Sequence, residues 1–524
     1  MNLKLNNYSF LLLLFFMVFA SCSRRGNPQM NLLDEIIIPK PVSVIASGNS
    51  FKLNANTKIL VKGESEEMLK IGHYLASLIK PATGFDLEIK STLKKPKLNS
   101  IYISISNLES KFGNEGYNLK ITDKIVFLKA NSPEGIFHGI QTLRQILPKE
   151  IEASTKQNKL WFIATGEIHD YPQYEYRGAM LDVSRHFFGV DLVKKYMDLL
   201  AAYKLNKLHL HLSDDQGWRI EIKSWPNLTL IGGSKEVGGG KGGFYTQEEY
   251  KEIVKYGQER YITIIPEIDM PGHTNAALAS YPELNSSGKA TELYTGIKVG
   301  FSSLDTNKEV TYQFVSDIIR ELSEITPGPY IHIGGDESHA TEMKDYIPFI
   351  NKVQEIVLAN GKQMIGWDEI VHADIKTNTI VQFWARKENA QIGVNKSAKV
   401  ILSPANKTYL DMKYDSITKL GLKWAGYVNI EDAYCWNPSK FISGISKNDI
   451  LGIESPLWTE TITNMEELEY MLFPRIIGHA EIGWTIDSLR NWKDYKVRLK
   501  KHLNRLKIKG VNYYEENENF KNIL

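Results

Sequence analysis

The spacing of apolar and polar residues changes near Pro172 and divides the chain into two regions. In the first region, short segments of alternating apolar and polar residues predict β-strands. Glu66–Ile79 and Pro133–Leu147 instead carry apolar residues at helical spacing, and Lys80-Pro81 is expected to end the first helix. Strands mixed with helices predict a small α+β domain over residues 35–172. The predicted strands are Thr57–Val61, Ser100–Ile105, Tyr117–Ile121 and Ile125–Leu128.

From Tyr176 onward, near-continuous apolar runs alternate with amphipathic segments such as Thr246–Glu259 and Val310–Thr326. Such runs are typical of parallel strands that are buried on both faces. Eight of them predict an α/β fold, a (β/α)8 barrel of TIM type over residues 173–510, with a tail at 511–524. A doubly wound sheet is the alternative, but no glycine-rich phosphate loop follows an early strand. The predicted strands are Gly178–Val183, Lys207–Leu212, Thr263–Ile268, Tyr330–Ile333, Gln363–Trp367, Thr379–Trp384, Lys399–Leu402 and Leu451–Ile453.

The first residues have the pattern of a secretion signal. Lys4 precedes the apolar run Phe10–Ala20, which would span only about 16 Å as a helix, too little for a bilayer core of about 30 Å. Ala20-Ser21-Cys22 resembles the processing box of bacterial lipoproteins. We therefore expect residues 1–21 to be a signal peptide and Cys22 to be the lipidated first mature residue, with ordinary secretion as the alternative.

This interpretation predicts a lipid-anchored protein of the bacterial cell envelope, either periplasmic or on the outer-membrane surface. Ser23-Arg24-Arg25 lacks the acidic residues that often direct surface export, which favours the periplasm. No later segment approaches 18 consecutive apolar residues, so we expect membrane contact through the anchor alone. Once Cys22 carries lipid, Cys435 has no intramolecular partner and is expected to be a buried thiol.

The composition excludes several classes of protein. The 63 Lys and Arg residues nearly balance the 61 Asp and Glu residues, so no basic field exists to bind nucleic acid. The chain has 2 cysteines, which excludes a disulfide scaffold and a zinc site built from several thiolates. Hydrophobic residues at 43% and charged residues at 24% are typical of a packed globular protein.

The segment Tyr330–Glu337, YIHIGGDE, is the most informative for chemistry. Successive side chains of a regular strand point to opposite faces, so two neighbouring acids could not share one site. Gly334-Gly335 allow the backbone to bend where the strand ends, so Asp336 and Glu337 are expected to converge. Two close carboxylates disfavour joint ionisation, which raises the pKa of one of them and provides a proton donor for cleaving a sugar acetal.

Tryptophans at predicted strand ends point to the same chemistry. Trp367, Trp384 and Trp458 each lie at or just after the C-terminal end of a different barrel strand, where barrels of this type place their active sites. Indole faces pack against the apolar faces of pyranose rings, which indicates a carbohydrate pocket.

Two other catalytic classes, a zinc hydrolase and a serine hydrolase, find less support in the sequence. His209 and His211 share one strand face near Asp214-Asp215, which would suit zinc, but no H-E-x-x-H spacing is present. A G-x-S-x-G nucleophile motif is also absent from the sequence. We therefore predict neither a metal nor any other cofactor.

Several blocks of sequence, in order along nearly the whole chain, resemble glycoside hydrolase family 20, the β-N-acetylhexosaminidases. The resemblance implies a barrel preceded by the family's small α+β domain. The matching blocks are Gly116–Ile121, Asn131–Leu147, Tyr176–Ile222, Ile265–Leu278, Ile331–Glu337, Gly366–Ile370, Val381–Trp384, Thr408–Tyr414 and Glu454–Glu460.

The resemblance implies a retaining mechanism in which the 2-acetamido oxygen of the substrate is the nucleophile. Glu337 resembles the family's general acid, and Asp336 resembles the residue that orients the acetamido group and stabilises the oxazolinium intermediate. Tyr409 resembles the donor to the acetamido oxygen. Trp367, Trp384 and Trp458 resemble the side chains that enclose the acetamido methyl group and the sugar face.

Other matching positions imply substrate-binding and supporting roles. Arg177, Asp411 and Glu460 resemble the residues that bind the O3, O4 and O6 hydroxyls of the terminal sugar. Asp214 and His273 resemble a pair that supports Glu337, and Trp424 is expected to stack on the leaving sugar. Ser338–Met343 departs from the family, which often has a Lys and a Trp after this point.

The resulting prediction is an exo-acting β-N-acetylhexosaminidase that removes terminal GlcNAc or GalNAc from oligosaccharides or glycoconjugates. The alternatives are an ordinary two-carboxylate glycosidase, a family member that releases disaccharides (lacto-N-biosidase-like) or sulfated GlcNAc, a metallohydrolase, and a non-catalytic carbohydrate-binding protein. The preferred sugar, the physiological glycan and the oligomeric state stay open.

Overall fold

The computed structural model describes residues 26–515. The predicted signal peptide and Cys22 therefore lie outside the described residues, as do residues 516–524 of the predicted tail. None of the helices within residues 26–515 is both long enough and apolar enough to span a bilayer.

A mixed sheet of seven strands, in the order β1-β7-β5-β6-β4-β2-β3, forms the N-terminal domain. Helices α1 (Glu66–Thr83) and α2 (Pro133–Ile146) pack against it. The strands are β1 (Ser43–Leu53), β2 (Lys58–Lys62), β3 (Glu88–Thr92), β4 (Ser100–Ile105), β5 (Tyr117–Ile121), β6 (Ile125–Ala130) and β7 (Trp161–Asp170).

Helix α1 does not stop at Lys80-Pro81, as the sequence predicts, but continues to Thr83. Pro81 lies in the last turn, where the loss of one N–H donor breaks little of the helix. The helix ends instead at Gly84, whose left-handed backbone (φ 71°) lets its N–H donate to the carbonyl of Lys80 at 2.8 Å.

Eight parallel strands close into the predicted barrel, in the order β12-β13-β14-β15-β16-β17-β8-β9. Each predicted barrel segment coincides with one of them. The strands are β8 (Tyr176–Asp182), β9 (Lys207–His211), β12 (Thr263–Glu267), β13 (Tyr330–His332), β14 (Gln363–Trp367), β15 (Ile380–Phe383), β16 (Lys399–Leu402) and β17 (Ile450–Leu457), and the short hairpin β10 (Ser213–Asp214) and β11 (Gly217–Trp218) lies outside the barrel.

Helices surround the barrel or lie in the loops at its ends. Two of them, Gln247–Gln258 and Glu309–Ile325, agree with the sequence prediction to within one residue at each end. The helices are α3 (Val190–Ala201), α4 (Gln247–Gln258), α5 (Asn275–Ser280), α6 (Glu309–Ile325), α7 (Met343–Ala359), α8 (Lys387–Asn395), α9 (Ala405–Thr408), α10 (Ile430–Tyr434), α11 (Pro438–Phe441), α12 (Met465–Leu472), α13 (Arg475–Trp484) and α14 (Trp492–Lys509).

Charged groups buried at the N-terminal end of the barrel join it to the first domain. Lys204 donates to Asp170 at 2.9 Å, and both side chains are fully buried. Asp170 also accepts a hydrogen bond from Trp484 Nε1 at 2.9 Å. The junction therefore satisfies its polar groups with partners from the other domain.

The thiol of Cys435 is exposed, not buried as the sequence interpretation expects. Cys435 follows α10 directly, and the apolar side chains beside it, Tyr434 and Trp436, take the buried positions of that segment.

Candidate active site

The double glycine produces the predicted bend at the end of β13. Gly334 and Gly335 have φ angles of 66° and 98°, which side chains rarely adopt. A Cβ atom on Gly334 would lie 1.8 Å from Asp269 Oδ1, the same oxygen that accepts the N–H of Gly335 at 3.0 Å. Asp269 thus fixes the bend, and no larger residue fits at position 334.

The bend brings Asp336 and Glu337 together at the barrel mouth. Their carboxylate oxygens lie 3.8 and 3.7 Å from the same atom, Nε2 of His273. The Asp336 side chain is 11% exposed, whereas the Glu337 side chain is 27% exposed. The more buried acid therefore lies deeper in the site, and the more exposed one faces the opening.

Burial raises the pKa of Asp336 well above the usual value of an aspartate, and the charges of Asp269 and Glu337 raise it further while His273 opposes them. The raised pKa thus belongs to Asp336, which is not the acid expected to donate the proton, and its main cause is burial rather than the proximity of Glu337. In the free enzyme Asp336 holds a proton at pH values where an exposed aspartate has lost it.

His273 is held by Asp214 on the other side of its ring, with Nδ1 3.2 Å from Asp214 Oδ1. Burial alone would lower the pKa of His273, but the carboxylates of Asp214 and Asp269 raise it well above its usual value. Burial would likewise raise the pKa of Asp214, but Arg185 and His273 lower it well below the usual range. The structure therefore brings the predicted supporting pair into contact with the two acids.

A cavity of about 360 Å³ opens in front of the two acids. Aromatic side chains form one part of its lining and carboxylates another. The lining residues are Arg185, His273, Ile297, Val299, Asp336, Glu337, Trp384, Tyr409, Asp411, Leu422, Trp424, Trp458 and Glu460.

The aromatic side of the cavity is built around Tyr409. Its ring centroid lies 6.5 Å from that of Trp384, 5.7 Å from that of Trp424 and 6.3 Å from that of Trp458. Trp424 is 55% exposed and lies at the rim. Trp367 is only 1% exposed and packs beneath Trp458, so it supports the cavity rather than lining it.

Three acids in the cavity have buried oxygens with no hydrogen-bond partner within residues 26–515. These oxygens are both carboxylate oxygens of Asp411, Oε2 of Glu460 and Oδ1 of Asp336. Burial raises the pKa of Asp411 well above its usual value, and Glu460 adds to the rise. Buried acceptors without donors are costly, so this side of the cavity is suited to a ligand that carries several hydroxyl or amide donors.

Comparisons with known proteins agree with this geometry. The model of the glycosyl hydrolase family 20 catalytic domain matches residues 174–487, and the model of domain 2 of that family matches residues 34–171. The chain belongs to glycosyl hydrolase family 20. It is therefore a glycoside hydrolase.

Relatives of this family 20 hydrolase match it along most of its length. A β-N-acetylhexosaminidase of Cellulomonas fimi is 38% identical over 473 residues, which cover 90% of this chain and 94% of that protein. The structure of a Streptomyces coelicolor β-N-acetylhexosaminidase matches with a TM-score of 0.89 at 46% identity, covering 92% and 98% of the two chains. A Streptomyces plicatus N-acetyl-β-hexosaminidase in complex with Thio-NAglucal matches with a TM-score of 0.90 at 47% identity, covering 94% and 99%.

In this family 20 hydrolase, Arg177 does not reach the cavity, which corrects the prediction that it binds sugar hydroxyls. It lies at the start of β8, at the opposite end of the barrel, where Nη2 forms an ion pair with Glu115 and Nε donates to the carbonyl of Lys204 at 3.0 Å. Because chemistry collects where barrel strands end, a residue that opens a strand is on the wrong side.

Arg185 lies in the cavity instead, and the sequence interpretation missed it. It follows the C-terminal end of β8, its guanidinium lies 2.8 Å from Asp214 Oδ2, and it packs over the Trp458 ring at 4.8 Å. The direction of the predicted strand was the signal that could have found it. Ile297 and Val299 were also missed, because they lie in a long loop without a local pattern.

The histidines of the metal alternative lie inside the barrel and contact carboxylates. His209 Nδ1 lies 2.9 Å from Glu454 Oε1, and His211 Nε2 lies 2.8 Å from Asp214 Oδ2. Such contacts satisfy these nitrogens within the protein. That the hydrolase uses no metal or other cofactor stays a prediction.

Proposed function

We propose that this family 20 hydrolase is an exo-acting β-N-acetylhexosaminidase that removes terminal β-linked GlcNAc or GalNAc from the non-reducing ends of glycans. The convergence of Asp336 and Glu337 on one nitrogen of His273, in the lining of the cavity at the barrel mouth, is the observation that carries the proposal. It is supported by relatives described as β-N-acetylhexosaminidases and by a Streptomyces plicatus enzyme variant solved with GlcNAc as product.

In the proposed first step, Glu337 protonates the glycosidic oxygen as the bond between that oxygen and C1 breaks, and the bonding electrons leave with the oxygen. The carbonyl oxygen of the 2-acetamido group attacks C1 from the other face and forms an oxazolinium ring. In the second step Glu337 takes a proton from water, which adds to C1 and reopens the ring. Two inversions retain the β configuration. A nucleophile held within the substrate can lower the barrier by about 7–11 kcal/mol through proximity.

Asp336 accepts the acetamido N–H and faces the positive charge that develops on the ring. Both interactions favour the ionised form of Asp336, against the burial that raises its pKa in the free enzyme. The stabilisation is therefore greatest when the cation forms, which is the differential binding that catalysis needs. Tyr409, whose ring lies between Trp384 and Trp458, is proposed to donate its hydroxyl hydrogen to the acetamido oxygen.

We propose that Asp411 and Glu460, together with Arg185 in place of Arg177, bind the O3, O4 and O6 hydroxyls. The acceptor oxygens of the two acids have no partner within residues 26–515, so hydroxyl donors would satisfy them. The same pair of acids would repel a sulfate group, which disfavours release of sulfated GlcNAc. Trp424 at the rim is proposed to stack on the leaving sugar.

The test compares aryl β-N-acetylglucosaminide with aryl β-glucoside, which lacks the acetamido nucleophile. The proposal predicts rapid release of the aryl group from the first substrate and almost none from the second. Comparable hydrolysis of both would favour an ordinary two-carboxylate glycosidase. A digest of defined glycans that yields disaccharides rather than single sugars would contradict exo-cleavage of one residue at a time.

We further propose that the protein is lipid-anchored to the bacterial cell envelope through Cys22, on the basis of the sequence around that residue. A labelled fatty acid fed to expressing bacteria should enter the natural protein, and Cys22→Ser should abolish the label. Equal labelling of both proteins would contradict the anchor.

A further inference from the structure

A chain of alternating histidines and carboxylates runs from the two acids into the barrel. His273 Nδ1 lies 3.2 Å from Asp214 Oδ1, and the other oxygen of Asp214 lies 2.8 Å from His211 Nε2. His211 Nδ1 in turn contacts Glu267 Oε2. The proposed function uses only the first part of this chain, and the fully buried His211 and Glu267 are left without a role.

The two contacts of His211 fix its charge. A neutral imidazole has one N–H donor, but both ring nitrogens of His211 face a carboxylate oxygen. Only the imidazolium ion can donate to both. Burial alone would lower the pKa of His211, but the charge of Glu267 and the hydrogen bond to Asp214 raise it well above its usual value.

Glu267 is held in place by neighbouring strands. It ends β12, where its backbone is in register with His211 of β9 and with His332 of β13. Trp367 Nε1, at the end of β14, donates to Glu267 Oε1 at 2.9 Å. His209 Nε2 lies 3.0 Å from Glu267 Oε2, and His332 Nδ1 lies 2.9 Å from Oε1. Four barrel strands therefore set the position of this one carboxylate.

We propose that Glu267 and His211 are positioning residues that keep Asp214 ionised and oriented, so that His273 presents Nε2 to Glu337 and Asp336. This inference rests on the proposed role of Glu337 as the proton donor. Glu267 and His211 touch neither the substrate nor the reacting atoms. They act through two successive contacts, that of His211 with Asp214 and that of Asp214 with His273.

Other charged groups also contact or face this chain of residues. Arg185 contacts Asp214 from β8's C-terminal loop at 2.8 Å. Asp269, after β12, lies within 4.8 Å of both His211 and His273. Asp215 lies within the same distance of Asp214 and His273. Because none of these groups can replace the contact of Glu267 with His211 Nδ1, an effect of changing Glu267 on catalysis would pass through His211.

Glu267→Gln keeps the size of the side chain and removes its charge. His211 then loses one of its two anionic partners and can satisfy Asp214 as a neutral ring. Asp214 loses a charged donor, and the orientation of His273 towards Glu337 is no longer fixed. Proton delivery by Glu337 should therefore suffer more than substrate binding.

Glu454, which lies deeper in the barrel interior, provides a matched control. Glu454 is also fully buried, and its oxygens accept hydrogen bonds from Gln382 at 2.7 Å and from the Tyr176 hydroxyl. Its histidine contact is His209 rather than His211. Glu454→Gln thus removes an equally buried charge without touching the contacts of Asp214.

The experiment measures kcat/KM of the full chain on two substrates, phenyl and 2,4-dinitrophenyl β-N-acetylglucosaminide. The phenyl leaving group needs a proton from the enzyme, whereas the dinitrophenyl leaving group does not. For Glu267→Gln we expect a loss of roughly 10- to 100-fold on the phenyl substrate and less than about 3-fold on the other, since general acid catalysis contributes about 100- to 10,000-fold. For Glu454→Gln we expect the same factor on both substrates. Equal losses of Glu267→Gln on both substrates would overturn the inference.

Two further variants keep the outcomes separate. If the thermal transition shows that Glu267→Gln does not fold, His211→Asn is measured in its place. An equal loss of kcat/KM by His211→Asn on both substrates would also overturn the inference. Glu337→Gln tests the proposed function itself, because it should lose far more activity on the phenyl substrate than on the dinitrophenyl substrate. A uniform loss there would refute the role of Glu337 and not merely the part played by Glu267.

Discussion

The two ends of the barrel use the same kinds of residue in opposite ways. At the N-terminal end, Arg177 is paired with Glu115, and Lys204 is paired with Asp170. At the C-terminal end, Asp411 and Asp336 keep oxygens that have no partner within residues 26–515. Both ends are buried, so desolvation is similar, and the difference lies in whether the protein itself supplies the partner.

This contrast shows that burial of charge alone does not identify a functional site. The site is marked by several acids whose unpartnered oxygens lie around one cavity. A paired group at the lower end contributes to the packing of the two domains. An unpaired acceptor at the upper end makes the free enzyme less stable and is compensated when a ligand supplies a donor. Substitutions at the two ends should therefore change different quantities.

The largest expected effect is at the two acids of the upper end. Glu337→Gln and Asp336→Asn should each lower kcat on an aryl β-N-acetylglucosaminide by about 100- to 10,000-fold, because proton transfer and stabilisation of the cation are lost. The melting temperature of Asp336→Asn should not fall. The substitution replaces a buried acid that lacks a full set of hydrogen-bond partners by a neutral amide. Wild-type turnover in either variant would contradict the assigned site.

Arg177 in β8 and Arg185 in the loop after it give the clearest comparison between the two ends of the barrel. Arg185→Met should lower kcat/KM by roughly 100-fold or more, because Asp214 loses its guanidinium partner and the cavity loses the positive charge proposed to bind the sugar hydroxyls. Arg177→Met should lower the free energy of unfolding by about 3 kcal/mol, because Glu115 loses its guanidinium partner and keeps only the weaker contacts with His138 and Asn206. The folded Arg177→Met protein should keep kcat/KM within about 3-fold, since its site at the lower end does not touch the reaction. A loss of kcat/KM in Arg177→Met and not in Arg185→Met would instead support a sugar-binding role for Arg177.

Asp411 and Asp170 provide the same comparison with aspartates. Asp411→Asn should lower kcat/KM by roughly 10- to 100-fold, the size of a hydrogen bond between a hydroxyl and a charged group, with no loss of thermal stability. Asp170→Asn should be destabilised, because Lys204 is left without its carboxylate, while the folded enzyme keeps its kcat/KM. Denaturant titration combined with initial rates measures both quantities, and an unstable Asp411→Asn would contradict the comparison.

The pH dependence is the smallest expected effect. Asp336 must be ionised to face the cation, and burial raises its pKa well above the usual value of an aspartate. As the pH falls through this raised pKa, kcat/KM should therefore fall, and the acid limb should lie above the ordinary aspartate pKa of about 3.9. A kcat/KM profile that stays flat down to about pH 4 would show that Asp336 is not the group that titrates.

Sequence pattern predicted the barrel well because strands buried on both faces leave a continuous apolar run, as in Lys399–Leu402. It missed β3, an edge strand whose residues are mostly exposed. It also missed the paired strands β1 and β7, whose register shifts between Ala46 and Ser50. Both irregularities follow from tertiary position, because edge strands and bulges do not need the regular alternation that marks a strand in sequence.

The position of a site residue could be predicted where its own segment of sequence determines the local backbone geometry. The paired glycines before Asp336 and Glu337 implied the bend that brings the acids together. The resemblance implied a sugar-binding role for Arg177, but Arg177 precedes the predicted strand and so lies at the wrong end of the barrel. Arg185 follows that strand and lies in the cavity. The link from Asp214 through His211 to Glu267 joins two separate segments of the chain, so only the closed barrel shows that they meet.

Binding of a GlcNAc-derived thiazoline, whose fused ring reproduces the cyclised acetamido group, tests the central claim most directly. The account predicts that the wild-type enzyme binds this compound tightly and competitively, and that Asp336→Asn binds it at least about 10-fold more weakly, because the charged acceptor facing the ring is lost. Equal affinity in the two proteins, or no binding to the wild-type enzyme, would contradict the claim that Asp336 directs an acetamido nucleophile.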